Sequence, residues 1–435
     1  MLVDRRHGLG GHWLDANPFV ELHQPSAFYG VPSLPLGADR VQVDGPEAGW
    51  YERATGAEVI EYYARVRRHF EASGRVDVAT GHRVESDRHA RAGDDVVIVE
   101  SASGTRRTIR ARKAVVDATR IAAEVPEGRP APFDVETGAH VITPSNLPHA
   151  VGGSEYCVVG AGKTAMDVVC WLLANGTDPD DISWVRRRDG WFMNRAYAQP
   201  FEQSPRMIDY QSRIVEAAVT ATRGRDLAEH LEQHDMKMRI DPSVEATVYR
   251  GATVSPFEIE QLRSVERVVR AGSVRSVGPG RVVVGDDVIG LASDAVVVDC
   301  TAPGLSRTEA HQIFGDGRID LHFTTVGVAP WGAALVGFVE TLDRSVSEKN
   351  RLCPPMPRSH TIDGQLDMAR IGLAIDGVRR EDPDVAAWNA LCRRNPGRSI
   401  PDHLDDPLAA TAMVRMFEHI EAAMENLQRV APAPG

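Results

Sequence analysis

Lysine is almost missing from this chain: four residues, against 45 arginines, in a length of 435. That skew reads as codon usage in a GC-rich genome rather than as chemistry. Cysteine is scarce as well. The five present, Cys157, Cys170, Cys300, Cys353 and Cys392, include no C-x-x-C or similar close pair. A disulfide framework, a zinc ribbon and a redox dithiol are therefore not expected, and reduced thiols point to a cytoplasmic setting. No apolar run approaches the roughly 18 residues of a membrane span, and the first residues do not form the pattern of a secretory leader. A net charge of -12 offers no basic footprint, which argues against nucleic acid and against an acidic membrane surface as partners. Gly-x-Ser-x-Gly elbows, compelling carboxylate pairs and short-period repeats are absent too. A small-molecule substrate is the partner left.

What is there is the material of a globular protein. Hydrophobic residues make up 43% and charged residues 25%, enough to build large cores over two or three domains. Residues 55–74 read as one helix. Thr55 and Glu58 form a capping box, Val59, Ile60, Tyr63, Val66 and Phe70 form a stripe, and Gly74 ends it. DDVVIVES and TRRTIRARKAVVDAT read as strands with Gly104 between them. EYCVVGAGKTAMDVVCWLLANG reads as strand, turn and helix, and DISWV as the next strand. Residues 200–240 are polar and mostly helical. SPFE at 255–258 caps a further helix, with Pro256 at its first position. The tail from Asp406 to Val430 is an amphipathic helix carrying Met413, Phe417, Ile420, Met424 and Leu427, best explained by core packing. VVDAT (ending at 119) and VVVDCTAPG (296–304) each follow a hairpin and close on Asp-x-Thr, so the chain runs one plan twice.

The motif with chemistry in it is Gly160-Ala161-Gly162-Lys163-Thr164-Ala165. A nucleoside-triphosphate P-loop would need glycine five positions before Gly162, where Cys157 stands. As G-x-G-x-x-A the stretch follows an apolar strand and opens a helix, the context a dinucleotide fingerprint requires. Gly160 allows the tight turn, Gly162 lets backbone approach a pyrophosphate, and Ala165 keeps helix and strand close. The helix N-terminus, with Lys163 and Thr164 in its first turn, supplies N–H groups and partial positive charge. The following strand ends in Arg186-Arg187-Arg188, where an NAD site usually carries an acid. Arg186 and Arg187 suit the 2′-phosphate of NADP. A solvated arginine run is the alternative.

The opening MLVDRRHGLGGHW has the look of a strand ending in the acid Asp4, then a Gly-rich loop. In a dinucleotide-binding fold such an acid closes the second strand, about 20 residues after the first glycine motif. About 30 residues of strand, loop and helix are thus expected to precede Asp4, with translation beginning further upstream.

Together these motifs resemble the flavin-containing monooxygenases and related flavoproteins built from two dinucleotide-binding domains. DRRHGLGGHW is similar to their segment of an acid followed by G-G-x-W, VELHQPSAFYGVPS to the loop they run past the flavin, and GAGKTAMD to their second, NADP-binding glycine motif. VVVDCTAPG resembles the strand that returns to the FAD domain. The first FAD glycine motif and the Phe-x-Gly-x-x-x-His fingerprint are not present; ITPSNLPHAVGG stands where the latter should be. The resemblance implies an α/β fold of two three-layer Rossmann-like domains. The FAD domain would take residues 1–150, the NADP domain 151–299, inserted into it, and residues 300–435 would return to the FAD domain and add the C-terminal helix. It implies FAD and NADP as cofactors, with Asp4, Gly10, Gly11, Trp13, His23, Gln24 and Ser26 on the flavin side. Gly160, Gly162, Lys163, Thr164, Ala165, Arg186, Arg187 and Thr301 would lie on the NADP side. The implied activity is an FAD-dependent, NADPH-linked oxidoreductase, with hydride passing from nicotinamide to flavin N5. Reduced flavin then reacts with oxygen, and in a monooxygenase a flavin peroxide oxygenates a small organic substrate. A dehydrogenase or oxidase without oxygen insertion, and a flavin-free NADP-binding remnant, are the alternatives. No metal is expected: His230 and His234, four apart on a helix, read as surface histidines without a third ligand.

Overall fold

A computed structural model describes residues 1–86, 89–150, 152–305, 311–356, 359 and 361–431. Its most regular part is a sheet of five strands, all parallel. The strands lie in the order Val268–Val269, Ile182–Val185, Tyr156–Val159, Val296–Asp299, Val141–Ile142. The three central strands are buried at every position. Strands covered on both faces need no polar alternation, which is why YCVV and ISWV read as continuous apolar runs. Tyr156, Val158, Ile182, Trp184, Val296 and Val298 pack on one side against helices Lys163–Ala174 and Pro256–Arg263. Cys157, Val159, Val185 and Val297 face the other way, onto Val274, Val277, Val282 and Val284 of a four-stranded sheet. The result is three layers. Counted from the strand that bears the glycine turn, the order is 3-2-1-4, and direction of progress reverses between Tyr156–Val159 and Val296–Asp299. That reversal is where doubly wound sheets bind ligands.

Two strands of this unit, Asp134–Val135 and Val141–Ile142, come from upstream of residue 151. Val151 itself, the boundary expected from sequence, lies outside the described residues.

The flanking chain repeats the plan. Leu2–Asp4 pairs in parallel with Val78–Thr80, and helix Gly56–Ala72 connects them. The helix is set by the Thr55–Glu58 capping box, both halves of which are formed, and Gly74 (φ 68) follows its end. Its buried face carries Val59, Tyr62 and Val66 with Tyr63 and Phe70 packed beside them, so Tyr62 joins the expected stripe and Ile60 is not part of that core. An antiparallel meander follows (His82–Val84, Asp95–Glu100, Arg106–Arg110) with Gly104 (φ 73) in its second turn. Val115–Asp117 then pairs in parallel with Arg318–Asp320, and Ala123–Glu124 antiparallel with Gly304–Leu305. The chain thus enters and leaves the five-stranded unit through adjacent strands. Both halves close on the same turn. Thr119 donates its N–H (3.0 Å) and hydroxyl (2.7 Å) to Asp117, and Thr301 does likewise to Asp299 at 2.9 and 2.5 Å. One difference separates the halves: among the described residues, Leu2–Asp4 has a strand on one edge alone, and its sheet is separate from that of Val115–Asp117.

Helices Pro205–Ala218, Gly224–Gln233 and Pro407–Val430 pack together through Val215, Ala218, Leu227, Leu231, Ala423 and Leu427. Of the expected C-terminal stripe, Leu427 is fully buried, whereas Phe417 is 72% exposed. The seam is made by Ala409, Ala412 and Ala423, whose small side chains let the helices approach.

Candidate nucleotide site

The turn after Tyr156–Val159 sits at the reversal point. Gly160 has φ 144, and a Cβ there would lie 3.1 Å from the Cβ of Cys300 on the neighbouring strand end. Only glycine fits so close an approach. A Cβ on Gly162 would meet nothing within 4 Å, so space stands open above the second glycine. Gly162 caps helix Lys163–Ala174 with no side-chain hydrogen bond, which leaves the first-turn N–H groups for a ligand. Ala165 is fully buried against the sheet, and the Trp184 indole donates to the Gly160 carbonyl at 2.8 Å, fixing the turn. Thr301 stands beside the turn on the next strand end, its side chain occupied by Asp299. Burial holds the Asp299 carboxyl above its usual pKa.

Arg186 is 3% exposed and lies 4.6 Å over the Trp184 ring. One guanidinium nitrogen meets Asp189 at 2.9 Å, but Nε and Nη1 are buried with no partner. Two unmet donors cost about 1–3 kcal/mol each and call for an explanation. The side chain lines a narrow cleft with Ala161 of the glycine turn, Arg188, Asp189 and Phe192. The cleft as it stands has no room for a water molecule, so an anion would meet both donors only once its walls move apart. Asp189 cannot take a ribose diol in its place, because its other oxygen is held by Arg270 at 2.8 Å. The glycine turn and its free N–H groups therefore fit a dinucleotide pyrophosphate, and Arg186 would add a phosphate contact only if the cleft opens. Arg187 does not join them: it is exposed and donates to Ser273 at 2.8 Å. Nor does the Lys163 side chain, which pairs with Asp167 and, at 2.9 Å, with Glu258. Burial opposes its charge, yet the two acids raise its pKa, so its ammonium is already compensated. Lys163 and Thr164 offer the ligand their backbone.

The expected flavin-side residues are spread more loosely. Asp4 ends its strand and accepts the Arg6 N–H at 2.8 Å. Gly10 (φ 132) and Gly11 (φ 57) make the following bend, and Trp13 packs on the small core of Leu22, Leu36 and Tyr62. Ser26 is buried and its hydroxyl accepts the Ala54 N–H at 2.8 Å, a structural use that removes it from any ligand. Gln24 and His23 are half-buried. Burial, with the Lys163 and Arg195 charges, pushes the His23 pKa down to about 3, so the ring is neutral. Its carbonyl is taken by Arg195 (2.7 Å) and the Thr253 hydroxyl. Helix Gly56–Ala72 is closed by its own capping box, so the N-terminal segment offers the FAD pyrophosphate no free helix end. A second glycine turn stands further on, where Gly327 (φ 84) precedes helix Ala329–Thr341, which has no side-chain cap.

Between the two halves lies a network that composition and motifs do not reveal. Arg195, 1% exposed, joins Glu47 of the N-terminal segment to Glu258 (2.7 Å) and to the Thr253 carbonyl (3.2 Å). Arg53 adds Glu47 at 3.1 Å and Glu21 at 2.8 Å. Its members are scattered over some 240 positions. Only Glu258 carried a local signal, as the acid of the SPFE cap, which it does complete. His230 and His234 do have a third neighbour, contrary to expectation: Glu216, reached because two helices pack side by side.

Turn and sheet order together define a dinucleotide-binding α/β unit of the doubly wound class. The chain belongs to the family of the Uncharacterized protein Rv2000 of Mycobacterium tuberculosis (strain H37Rv). It is 34% identical to that protein over 424 residues, 96% of this chain and 77% of the relative. The Uncharacterized protein Mb2023 of Mycobacterium bovis matches equally. No protein-family model matches. Among solved structures the chain is similar to an oxidized steroid monooxygenase bound to NADP, with 11% identity and a TM-score of 0.49 over 98% of this chain and 93% of that one. It is similar also to OTEMO in complex with FAD and NADP (14%, 0.42, 69% and 66%). A third is the bacillithiol disulfide reductase Bdr from Bacillus cereus (12%, 0.38, 68% and 68%). No described helix is long and apolar enough to cross a membrane.

Proposed function

We propose that this protein is an NADPH-linked, flavin-dependent oxidoreductase of a small organic substrate. The carrying observation is Arg186, whose two unpaired buried donors line the cleft beside the Gly160–Ala165 turn. In this reading NADP lies across the reversal point. Its pyrophosphate is on the N–H groups of Lys163 and Thr164 over the open face of Gly162, and its 2′-phosphate is on Arg186. Bound NADPH supplies a hydride. The protein's part is to bind and orient it: Gly160 and Ala165 set the approach of turn to helix, and Trp184 holds the turn from behind.

Flavin dependence rests on the doubled plan and on the segment from Asp4 to Trp13, with Asp4 toward a ribose. Within the inserted arrangement, the NADP unit takes residues 151–299 together with the strands at 134–135 and 141–142. Since helix Gly56–Ala72 offers the FAD pyrophosphate no free N-terminus, the 435-residue chain is expected to hold FAD poorly. The purified chain should be nearly colourless and gain flavin only in large excess; isolation yellow with stoichiometric FAD would reverse that assignment.

Oxygen insertion is one outcome of such chemistry. A dehydrogenase or oxidase is the second reading, motivated by the sequence ITPSNLPHAVGG standing where Phe-x-Gly-x-x-x-His would be; there the chain forms a short 3-10 helix, Pro144–His149. An oxygenated product, as against peroxide alone, separates the two.

Cofactor choice has a direct test. Arg186→Ala should weaken NADPH about ten- to a hundredfold, the worth of a charge-assisted contact, and leave NADH nearly unchanged. Equal losses measured by fluorescence titration would remove Arg186 from the site.

A further inference from the structure

We propose that Glu216, His230 and His234 form a binding site for a divalent transition-metal ion of the zinc type. The three ligand atoms lie within 4.8 Å of one another, the one such group of His, Cys, Asp and Glu among the described residues. They sit on rigid supports. Glu216 is in helix Pro205–Ala218, His230 in helix Gly224–Gln233, and His234 is that helix's C-cap. The two helices are locked by Val215, Ala218, Leu227 and Leu231. The imidazoles are edge to face with centroids 5.0 Å apart, and His230 Nε2 is 3.1 Å from Glu216 Oε2. A tetrahedral ion with bonds of about 2.0–2.2 Å needs its ligands about 3.3 Å apart, so side-chain rotation alone closes the site. The ion takes the place of the proton now shared by His230 and Glu216.

Ligand chemistry selects the ion. Two imidazoles and one carboxylate suit zinc and its neighbours, whereas calcium and magnesium ask for oxygen alone. Three protein ligands leave a fourth position for water. An open groove of about 440 Å³, lined by Glu216, Val414, Arg415, Glu418 and His419, adjoins Glu216 and gives access. The charged groups around the site act in both directions. Arg213 donates to Glu216 at 2.7 Å, and Arg415 stands 3.8 Å from its other oxygen. They hold the carboxylate in place but also repel a cation, so affinity is moderate. The bound ion would pin the two helices to each other.

The test uses the full chain without a histidine tag, stripped by a chelator and titrated with Zn²⁺ against a chromophoric competitor. One equivalent is expected to bind and to raise the melting temperature. Mg²⁺ should do neither. His234→Ala should weaken Zn²⁺ at least about tenfold and abolish the thermal shift, with His234→Gln as the second variant should the first fail to fold. Equal Zn²⁺ binding by both variants and the parent, an equal response to Mg²⁺, or no binding by the parent would each overturn the site.

Discussion

Two buried cations in this chain live in opposite circumstances. Arg195 is surrounded by acids and carbonyls. Lys237, 2% exposed, has no acid near it and rests 4.3 Å above the Tyr249 ring. Burial alone pushes its pKa down to about 7, against about 10.4 in an unfolded chain. Between those values the unfolded chain binds the extra proton, so stability should rise with pH from about 7 toward 10. Lys237→Met should flatten that rise and raise the stability at pH 7 by on the order of a few kcal/mol at most, seen as a higher melting temperature, since the aromatic contact offsets part of the cost. Melts at pH 7 and pH 9.5 decide it; an unchanged slope would mean the lysine is solvated. Lys237 gave no warning in the sequence, since one lysine in a polar stretch carries no pattern. Arg186 was legible because its place after the second strand is fixed by the fold. Arg187, its neighbour, was not separable: which of adjacent side chains turns inward depends on strand pleat and on the Ser273 contact.

Elements with a local cause could be read directly. Capping boxes placed the starts of the helices at 56 and 256, and continuous apolar runs placed the central strands. The C-terminal helix was also legible, and its contact face in part: Met413, Ile420 and Leu427 pack inward, Phe417 does not, and the buried alanines between them have little hydrophobic contrast. The glycine turn allows a sharper statement, because its two glycines serve different ends. Gly160→Ala places a methyl against Cys300 at a positive φ and should destabilise the fold by about 1–3 kcal/mol. Gly162→Ala has φ -98 and free space, so stability should stay within about 0.5 kcal/mol while NADP affinity falls. Melting curves paired with NADPH titrations test both. A Gly162→Ala protein that binds NADPH as the parent does would place the pyrophosphate elsewhere.

At the scale of the whole molecule, the Arg195 network is the charged part of the contact between the N-terminal segment and the inserted unit, beside the Phe19–Trp171 stack and the Tyr51–Gln199 hydrogen bond. Removing its cation strands two buried carboxylates, which ordinarily costs about 3–5 kcal/mol. Lys163 and Arg53 remain to compensate, so Arg195→Met should fall near the low end. Despite the cost of burial, Lys163 and Arg195 hold the Glu258 carboxyl well below the usual range. A depressed carboxylate stabilises the fold above its unfolded pKa of about 4.3, and that contribution is lost as pH falls below it. The parent should therefore lose melting temperature faster than Arg195→Met between about pH 4 and pH 2. Parallel acid melts of the two proteins would reject this reading of the network.

The ribbon formed by Ala123–Glu124 and Gly304–Leu305 has a mechanical consequence. Two strands bonded side by side resist stretching and sliding, yet they flex readily across their thin dimension. The inserted unit is thus tied to the rest by a thin ribbon, and the Arg195 cluster is one of several fastenings that keep it from turning about that ribbon. Opening would also have to part the Phe19–Trp171 stack, the Tyr51–Phe201 ring contact and the bond from the Tyr51 N–H to Gln199, so the load is shared along the whole face.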